Sequence, residues 1–370
     1  MPRGPLTRAE AAVHWLWSAQ GAAARVARAS LGPAAAAYAA YTRLRAHAYR
    51  RGLLRSHLLP VPSIAVGNLT VGGAGKTPIA SWVAAQCLRL GVVPGVVLRG
   101  YGGEEEAVHA ERVPGAVVVA GRDRLAAARR AVGQGARVVV LDDAFQRLDV
   151  RRDLNLLLVS AESAGTPRQT LPAGPWREAW RAARRADLVV VTRKRASAGQ
   201  AARVAQQLES AGIPSRRVAM AHLSIGRFTE LLTHRPVAAQ RLAGSRVLAA
   251  CAIADPVSFV QQLRQLGAQV RSAAWRDHHP FRQHDVQALL SAAGDVDYVV
   301  VTHKDAGKLR ALWPADAPET LVAHLDVQWE HQGELVADRI SDLLTGGYRP
   351  GIYTLRRTPE LGDHEQDTGH

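Results

Sequence analysis

Residues 68–78, "NLTVGGAGKTP", follow the apolar run "SIAV" and precede the helical stretch "IASWVAAQCLRL". That order of strand, glycine-rich loop, Lys-Thr and helix fixes the local fold more tightly than any other feature of the chain. The glycines strip side chains from the backbone, so that successive N–H groups converge on an anion at the start of a helix. Lys76 supplies a point charge for outer phosphates, and Thr77 offers a hydroxyl to Mg2+, which is the division of labour in a P-loop. The pattern G-x-x-x-x-G-K-[ST] is met in variant form, because Thr70 holds the place of its first glycine, five before Gly75.

Around this loop the sequence alternates continuous apolar runs with helical stretches. "SIAVG", "GVVLRG", "AVVVA", "RVVVLDD", "LNLLLV" and "DLVVVT" read as strands, with "RDRLAAARRAV" and "AGQAARVAQQLESAG" as helices among them. Strands that are apolar on both faces predict a parallel sheet covered on both sides. The fold class expected is therefore α/β: a P-loop NTPase-like lobe over residues 61–212 and a second, smaller α/β lobe over 246–348. Residues 213–245 lose the rhythm and read as a strand-rich linker, and the tail 349–370 lacks apolar periodicity and reads as disordered.

The strand "RVVVLDD" ends in two carboxylates at the edge where open α/β sheets bind ligands. Asp142 and Asp143 are placed to complete a Mg2+ site begun by Thr77, since a hard cation wants oxygen ligands beside the phosphates. In the second lobe, "WRDHHPFRQHD" puts Asp277 and His278 after a strand, an adjacent carboxylate and imidazole suited to proton transfer, although a solvated loop also explains them. "VTHKDAGKL" lacks the spacing of a guanine-reading motif, because Lys304 and Asp305 are adjacent. "TLPAGPWREAW" is a Pro/Gly loop carrying Arg177 and Glu178 that fits a lid or acceptor site as well as it fits an ordinary surface turn.

Residues 1–60 differ from the rest, with nine Arg against the single acid Glu10, mixed with "VHWLW" and "PAAAAYAAY". No uncharged run approaches the ~20 apolar residues of a spanning helix. Tryptophans flanked by arginines predict an amphipathic helix lying on an anionic membrane surface, against the plainer alternative of a helix packed on the protein's own core. The net charge of +15 is carried almost wholly by Arg, with Lys only at 76, 194, 304 and 308, so it reflects compositional bias as much as a binding surface. No nucleic-acid signature accompanies it, no nucleic-acid partner is expected, and no protein partner can be inferred. Cys87 and Cys251 stand apart in apolar segments with no metal or redox spacing, which points to a reducing compartment.

Taken in order, "VPSIAVGNLTVGGAGKTP", "LRGYGG", "LDDAFQRLDVRRDLNLLLV", "LPAGPWRE", "ADLVVVT", "IADPVSF", "DHHPF" and "VTHKDAGKL" resemble the tetraacyldisaccharide 4'-kinase family of lipid A biosynthesis, from about residue 40 to 345. The resemblance implies a membrane-associated P-loop kinase with two α/β lobes at the cytoplasmic face of the inner membrane. Such an enzyme moves the γ-phosphate of ATP to the 4'-hydroxyl of a lipid A disaccharide 1-phosphate, giving lipid IVA. It further implies that Thr70, Val71, Gly72, Gly73, Ala74, Gly75, Lys76 and Thr77 bind ATP, that Thr77, Asp142 and Asp143 serve Mg2+, and that Asp277 and His278 lie at the acceptor. Three departures stand out. The family's G-F-Q-H or G-L-Q-H becomes Ala144-Phe145-Gln146-Arg147, its T-E-K-D becomes Thr302-His303-Lys304-Asp305, and its G-D-E-P segment is met only as "GGEEEAVHAE". Glu104 or Glu105 is then expected to replace the family's catalytic Asp. One methylene more keeps the chemistry, but a positioning error of about 1 Å can lower turnover about 100-fold. A family member of reduced activity is one alternative. A nucleotide-switched binding or assembly protein is another, which the missing guanine motif and the membrane-suited N-terminus disfavour.

Overall fold

The computed structural model describes residues 12–13, 15–17, 19–100, 103–163 and 168–346, so the tail 349–370 and residues 1–11 of the N-terminal segment lie outside the described residues. Two helices, α1 (Ala22–Ser30) and α2 (Gly32–Arg50), precede the sheet. The first half then runs β1 (Ser63–Asn68), α3 (Lys76–Arg89), β2 (Pro94–Leu98), α4 (Glu104–Arg112), β3 (Val117–Ala120), α5 (Arg124–Gly133), β4 (Val138–Asp142), β5 (Leu154–Ser160), β6 (Leu188–Arg193) and α6 (Ala198–Ser210). A long strand β7 (Val218–Glu230) and a short β8 (Pro236–Val237) lead into the second half. That half comprises β9 (Arg246–Cys251), α7 (Pro256–Gln265), β10 (Gln269–Ala274), α8 (Gln283–Ala292), β11 (Tyr298–Thr302), α9 (His303–Arg310), β12 (Thr320–His331) and α10 (Gly333–Thr345).

All the strands belong to one sheet, ordered β10-β9-β11-β12-β7-β6-β5-β1-β4-β2-β3, with β8 beside β7. The apolar runs go where period-two geometry sends them. Ile64, Val66, Val138, Val140, Leu156 and Leu158 pack under α3 and α10. Ala65, Val139 and Leu141 meet α5 on the opposite face, and Leu157, Val159, Val189 and Val191 meet α6 there. Strands covered twice in this way carry no polar face, which is why their sequences do not alternate.

The join between the halves positions the site. Every pairing in the first half is parallel, as is every pairing among β9 to β12, but β7 and β12 pair antiparallel from Glu230↔Leu321 to Met220↔His331. β6 pairs only with the start of β7, Val218–His222, and β11 only with the start of β12, Thr320–Ala323. The two half-sheets therefore run in opposite directions, and their carboxyl edges point toward each other across the middle of the β7/β12 ribbon. Open α/β sheets bind ligands at carboxyl edges, and here two such edges share one crevice. Residues 213–245 contribute β7 to this ribbon, so the two lobes are parts of one continuous sheet.

Hydrogen bonds join the N-terminal segment to the body: Thr170 Oγ1 donates to Ala35 O at 2.9 Å, Arg45 Nη1 to Gln146 O at 3.0 Å, and Trp17 Nε1 to Pro172 O at 3.1 Å. Trp15, Val26, Tyr41, Leu44, Leu53, Leu54 and Leu58 are exposed, whereas large exposed apolar side chains are sparse in the rest of the described chain. Among the described residues, no helix is long and apolar enough to cross a membrane.

Candidate active site

The loop after β1 turns because Gly72 and Gly75 take φ of +120° and +82°, which L side chains rarely adopt. Gly75 also lies against Leu223 in the ribbon: a Cβ there would stand 2.0 Å from Leu223 Cδ1. Helix α3 begins at Lys76, so its unpaired N–H groups and the positive end of its dipole face the loop. Lys76 Nζ donates to Asn68 Oδ1 at 3.3 Å and lies 3.7 Å from Asp143 Oδ1, which holds the ammonium over the loop. From the end of β6, Lys194 Nζ donates to Gly73 O at 2.8 Å and stands 3.8 Å from Asp255, the N-cap of α7.

The two strand-end aspartates have different surroundings. Asp142 is buried, and its Oδ2 lies 3.1 Å from Nε2 of the fully buried His109, whose Nδ1 is 3.0 Å from Ser81 Oγ. Its Oδ1 is buried with no hydrogen-bond partner among the described residues. An orphaned carboxylate oxygen in a cavity also lined by Thr77 is what a hard cation would satisfy, so this donor set fits Mg2+. Asp143, at φ +50°, accepts from Arg177 Nη1 at 2.8 Å. Burial would raise the Asp143 carboxyl, but the Lys76 and Arg177 charges outweigh it and hold it below the ordinary range.

Arg177 arrives on the "LPAGPWRE" loop, which lies directly beside the phosphate cradle. Val71 N donates to Pro175 O at 2.8 Å, Arg177 N donates to Leu69 O at 2.7 Å, and Trp176 is 2% exposed beneath them. Glu178 fixes the loop's far end by a two-pronged pair with Arg185 at 2.7 and 2.9 Å. Glu162 carries out a similar task for Lys194. Its Oε1 accepts the backbone N–H groups of Lys194, Arg195 and Ala196 at 2.7 to 3.1 Å, and Ser160 donates to Oε2 at 2.6 Å. Although burial opposes it, this set of donors lowers the Glu162 carboxyl to about 2. Neither Lys194 nor Glu162 stands out in the sequence, because the partners that give them their places, Gly73 and Asp255 for Lys194 and residues 194–196 for Glu162, follow other strands.

Across the crevice, helix α4 brings the acidic triplet to the second half-sheet. Glu104 Oε1 is 2.9 Å from Lys308 Nζ, and its Oε2 lies 3.5 Å from His278 Nδ1. His278, at φ +59°, has its Nε2 2.9 Å from Lys304 Nζ, and Lys304 also donates to Asp277 Oδ1 at 3.2 Å. A lysine can only donate, so Nε2 is the acceptor and the ring proton sits on Nδ1, facing Glu104. Glu105 instead lines the cavity with Asp142, Asp277, His278 and Lys304. Burial, and then the nearby Asp142 charge, raise its carboxyl above the ordinary value.

The cavity measures ≈ 930 Å3 and is lined by the loop from Val71 to Thr77, the aspartate pair, Arg177, Lys194, Glu105, Asp277, His278 and Lys304. A phosphate cradle and a carboxylate–imidazole cluster thus face one space from opposite half-sheets, as transfer between a nucleotide and a second substrate requires. The family model described as tetraacyldisaccharide-1-P 4'-kinase (LpxK) matches residues 27–113 and 103–344. A tetraacyldisaccharide 4'-kinase of Geobacter sulfurreducens is 38% identical over 316 residues, covering 79% of this chain and 87% of the relative. One of Anaeromyxobacter sp. (strain K) is 32% identical over 363 residues, covering 91% and 96%. In solved structures, the "apo" form LpxK from Aquifex aeolicus in complex with ATP superposes with a TM-score of 0.65 at 25% identity, covering 85% of this chain and 99% of that one.

Proposed function

Because the chain belongs to the tetraacyldisaccharide 4'-kinase family, we propose that it transfers the γ-phosphate of ATP to the 4'-hydroxyl of a tetraacyldisaccharide 1-phosphate. The observation that carries this is the single cavity into which the cradle of Gly72 to Thr77 and the Glu105–His278 side both open. Phosphoryl transfer asks a protein for position and charge more than for covalent chemistry. The loop amides and Lys76 bind the phosphates, and Lys194 ties the loop to Asp255 of the other half-sheet. Thr77 and Asp142 would hold Mg2+, which supplies charge neutralisation at the transferring phosphoryl group. Asp143 serves chiefly to hold Lys76 and Arg177 at the cradle.

On the acceptor side, Glu105 takes the hydroxyl proton. Its carboxyl, raised by burial and by the nearby Asp142 charge, is a better base than an ordinary one. His278, held at both ring nitrogens by Lys304 and Glu104, orients the hydroxyl. The acyl chains stay at the membrane surface, where the exposed Trp15, Leu44, Leu53 and Leu54, with the arginines among them, dock the protein peripherally on the cytoplasmic face. The test is γ-labelled ATP with the tetraacyldisaccharide 1-phosphate in detergent. Label on the lipid, dependent on Mg2+, is the expected result; ATP turnover with no labelled lipid would overturn the assignment.

A further inference from the structure

At the edge of the same cavity, which His303 also lines, and away from the P-loop, stands a second cluster of ligand-type side chains to which the reaction above assigns no role. Glu111 from the last turn of α4, His303 from the first turn of α9 and His324 from β12 each offer one donor atom, and the three atoms lie within 4.8 Å of one another. His303 Nε2 is already 3.0 Å from Glu111 Oε2, and the two imidazole centroids are 4.4 Å apart.

Both histidines are buried, at 7% and 5% exposure. Neither ring nitrogen of His303 has a hydrogen-bond partner among the described residues, so its Nε2 meets Glu111 as a charge contact only. His324 Nε2 lies 2.9 Å from Thr229 Oγ1, the contact that fixes a ligating ring through its other nitrogen. Glu111, with its side chain 33% exposed, leaves a path from solvent. His234 Nδ1, 3.8 Å from the second Glu111 oxygen, adds an exposed imidazole at the rim.

We propose that Glu111, His303 and His324 bind a divalent transition-metal ion of the Zn2+ class, at a site distinct from the Mg2+ that accompanies ATP. Two nitrogens and one carboxylate suit a borderline-soft ion, whereas Mg2+ demands oxygen donors and keeps its water. Tetrahedral Zn2+ places its ligands about 3.4 Å apart, so a small side-chain rotation closes the present spacing. Arg112, Arg227 and Arg310 are the neighbouring cations, and they oppose a further positive charge. Arg227 is offset by its pair with Asp326 at 2.9 Å, whereas Arg112 and Arg310 are held by the backbone carbonyls of Leu325 and Leu231 at 2.6 and 2.9 Å.

Its placement gives the ion a consequence. Glu111 belongs to the first half-sheet's helix α4, and both histidines belong to the second half, so a bound ion fastens α4 across the mouth of the crevice. Metal occupancy then strengthens the attachment of α4 to the second half.

The test uses tag-free full-length protein, stripped with a chelator and titrated with Co2+ in excess Mg2+, without nucleotide or lipid. One equivalent of Co2+ with the visible bands of nitrogen–oxygen coordination, displaced by Zn2+ and accompanied by a raised Tm, is expected. His324→Gln should weaken Co2+ binding by at least about tenfold. Glu111→Gln, an isosteric change at a partly exposed position, should do the same while the metal-free protein still unfolds in one cooperative transition, at a somewhat lower Tm because the His303 contact is weakened. Stoichiometry and spectrum unchanged in Glu111→Gln would overturn the assignment, as would Co2+ that excess Mg2+ displaces.

Discussion

Replacing Gly75 by alanine isolates what the ribbon does for the phosphate cradle. Two separate terms oppose the new methyl. At φ +82° an alanine pays the left-handed penalty, about 1–2 kcal/mol. Its Cβ would also stand 2.0 Å from Cδ1 of Leu223, a fully buried side chain, and overpacking of that kind costs about 1–3 kcal/mol. The sum, about 2–5 kcal/mol, should appear in urea and thermal unfolding. Only the second term depends on Leu223, so a double-mutant cycle separates them. Leu223→Ala alone should cost about 2–5 kcal/mol through its cavity. Gly75→Ala with Leu223→Ala should fall short of the sum of the singles by about 1–3 kcal/mol, because the alanine methyl enters space the leucine has vacated. ATP binding, read by a fluorescent nucleotide, should stay impaired in the double mutant, since the backbone conformation is still wrong for a side chain. Additivity within about 0.5 kcal/mol would refute the steric contact on which the calculation rests.

Lys76→Ala and Thr77→Ala should each lower lipid phosphorylation by at least about 100-fold with unchanged melting curves, as expected of groups that act on transition-state charge. Near-wild-type turnover in Lys76→Ala would remove the P-loop assignment. Glu105→Gln should lower kcat by roughly 10- to 10^4-fold with ATP binding intact. Glu104→Gln should have a smaller effect on kcat, because that side chain acts through His278 and Lys308; steady-state kinetics in which the order is reversed would exchange the two roles. The Glu162 carboxyl, lowered to about 2 when folded and near 4.5 when unfolded, contributes stability that is full above pH ~4.5 and lost as pH falls toward 2. The share is at most about 3 kcal/mol, and Glu162→Gln should flatten that limb of a stability–pH curve. Trp15→Glu with Leu44→Glu, both at exposed positions, should release the protein from anionic vesicles without altering its Tm, and added salt should weaken wild-type binding; equal vesicle binding by both proteins would exclude docking through this face.

The parts of the site that were legible in the sequence are those whose chemistry and geometry are local. Glycines, lysine and threonine within one turn declare a phosphate cradle, and two carboxylates ending an apolar strand mark the cavity edge, although only the partners of Asp143, Lys76 and Arg177, separate its surroundings from those of Asp142. What was hidden depends on pairings distant in sequence. "LPAGPWRE" read equally as a lid or a turn, because the partner that gives Arg177 its place is Asp143, on another strand end. Residues 213–245 read as a connection, because β7 alternates polar and apolar residues along a ribbon whose other strand begins at Thr320. No local period announces that two parallel half-sheets will be turned edge to edge.

Three successive glutamates posed the sharpest ambiguity, since spacing alone cannot say which one a family's catalytic aspartate corresponds to. A helix separates consecutive side chains by about 100°, so Glu104 and Glu105 cannot point the same way. Glu104 faces the second half-sheet and meets Lys308 and His278; Glu105 faces the cavity beside Asp142. Glu111 stands seven residues after Glu104, two turns along on the same face, and reaches His303. Separating the halves would therefore break the Glu104–Lys308 contact at 2.9 Å and the Glu111–His303 contact at 3.0 Å together. The Glu104 and Lys308 side chains are 11% and 10% exposed, so their separation would uncover charges that water does not already solvate. Helix α4, which carries Glu105, is thus anchored to the second half-sheet through Glu104 and Glu111, and the position of Glu105 depends on those two contacts.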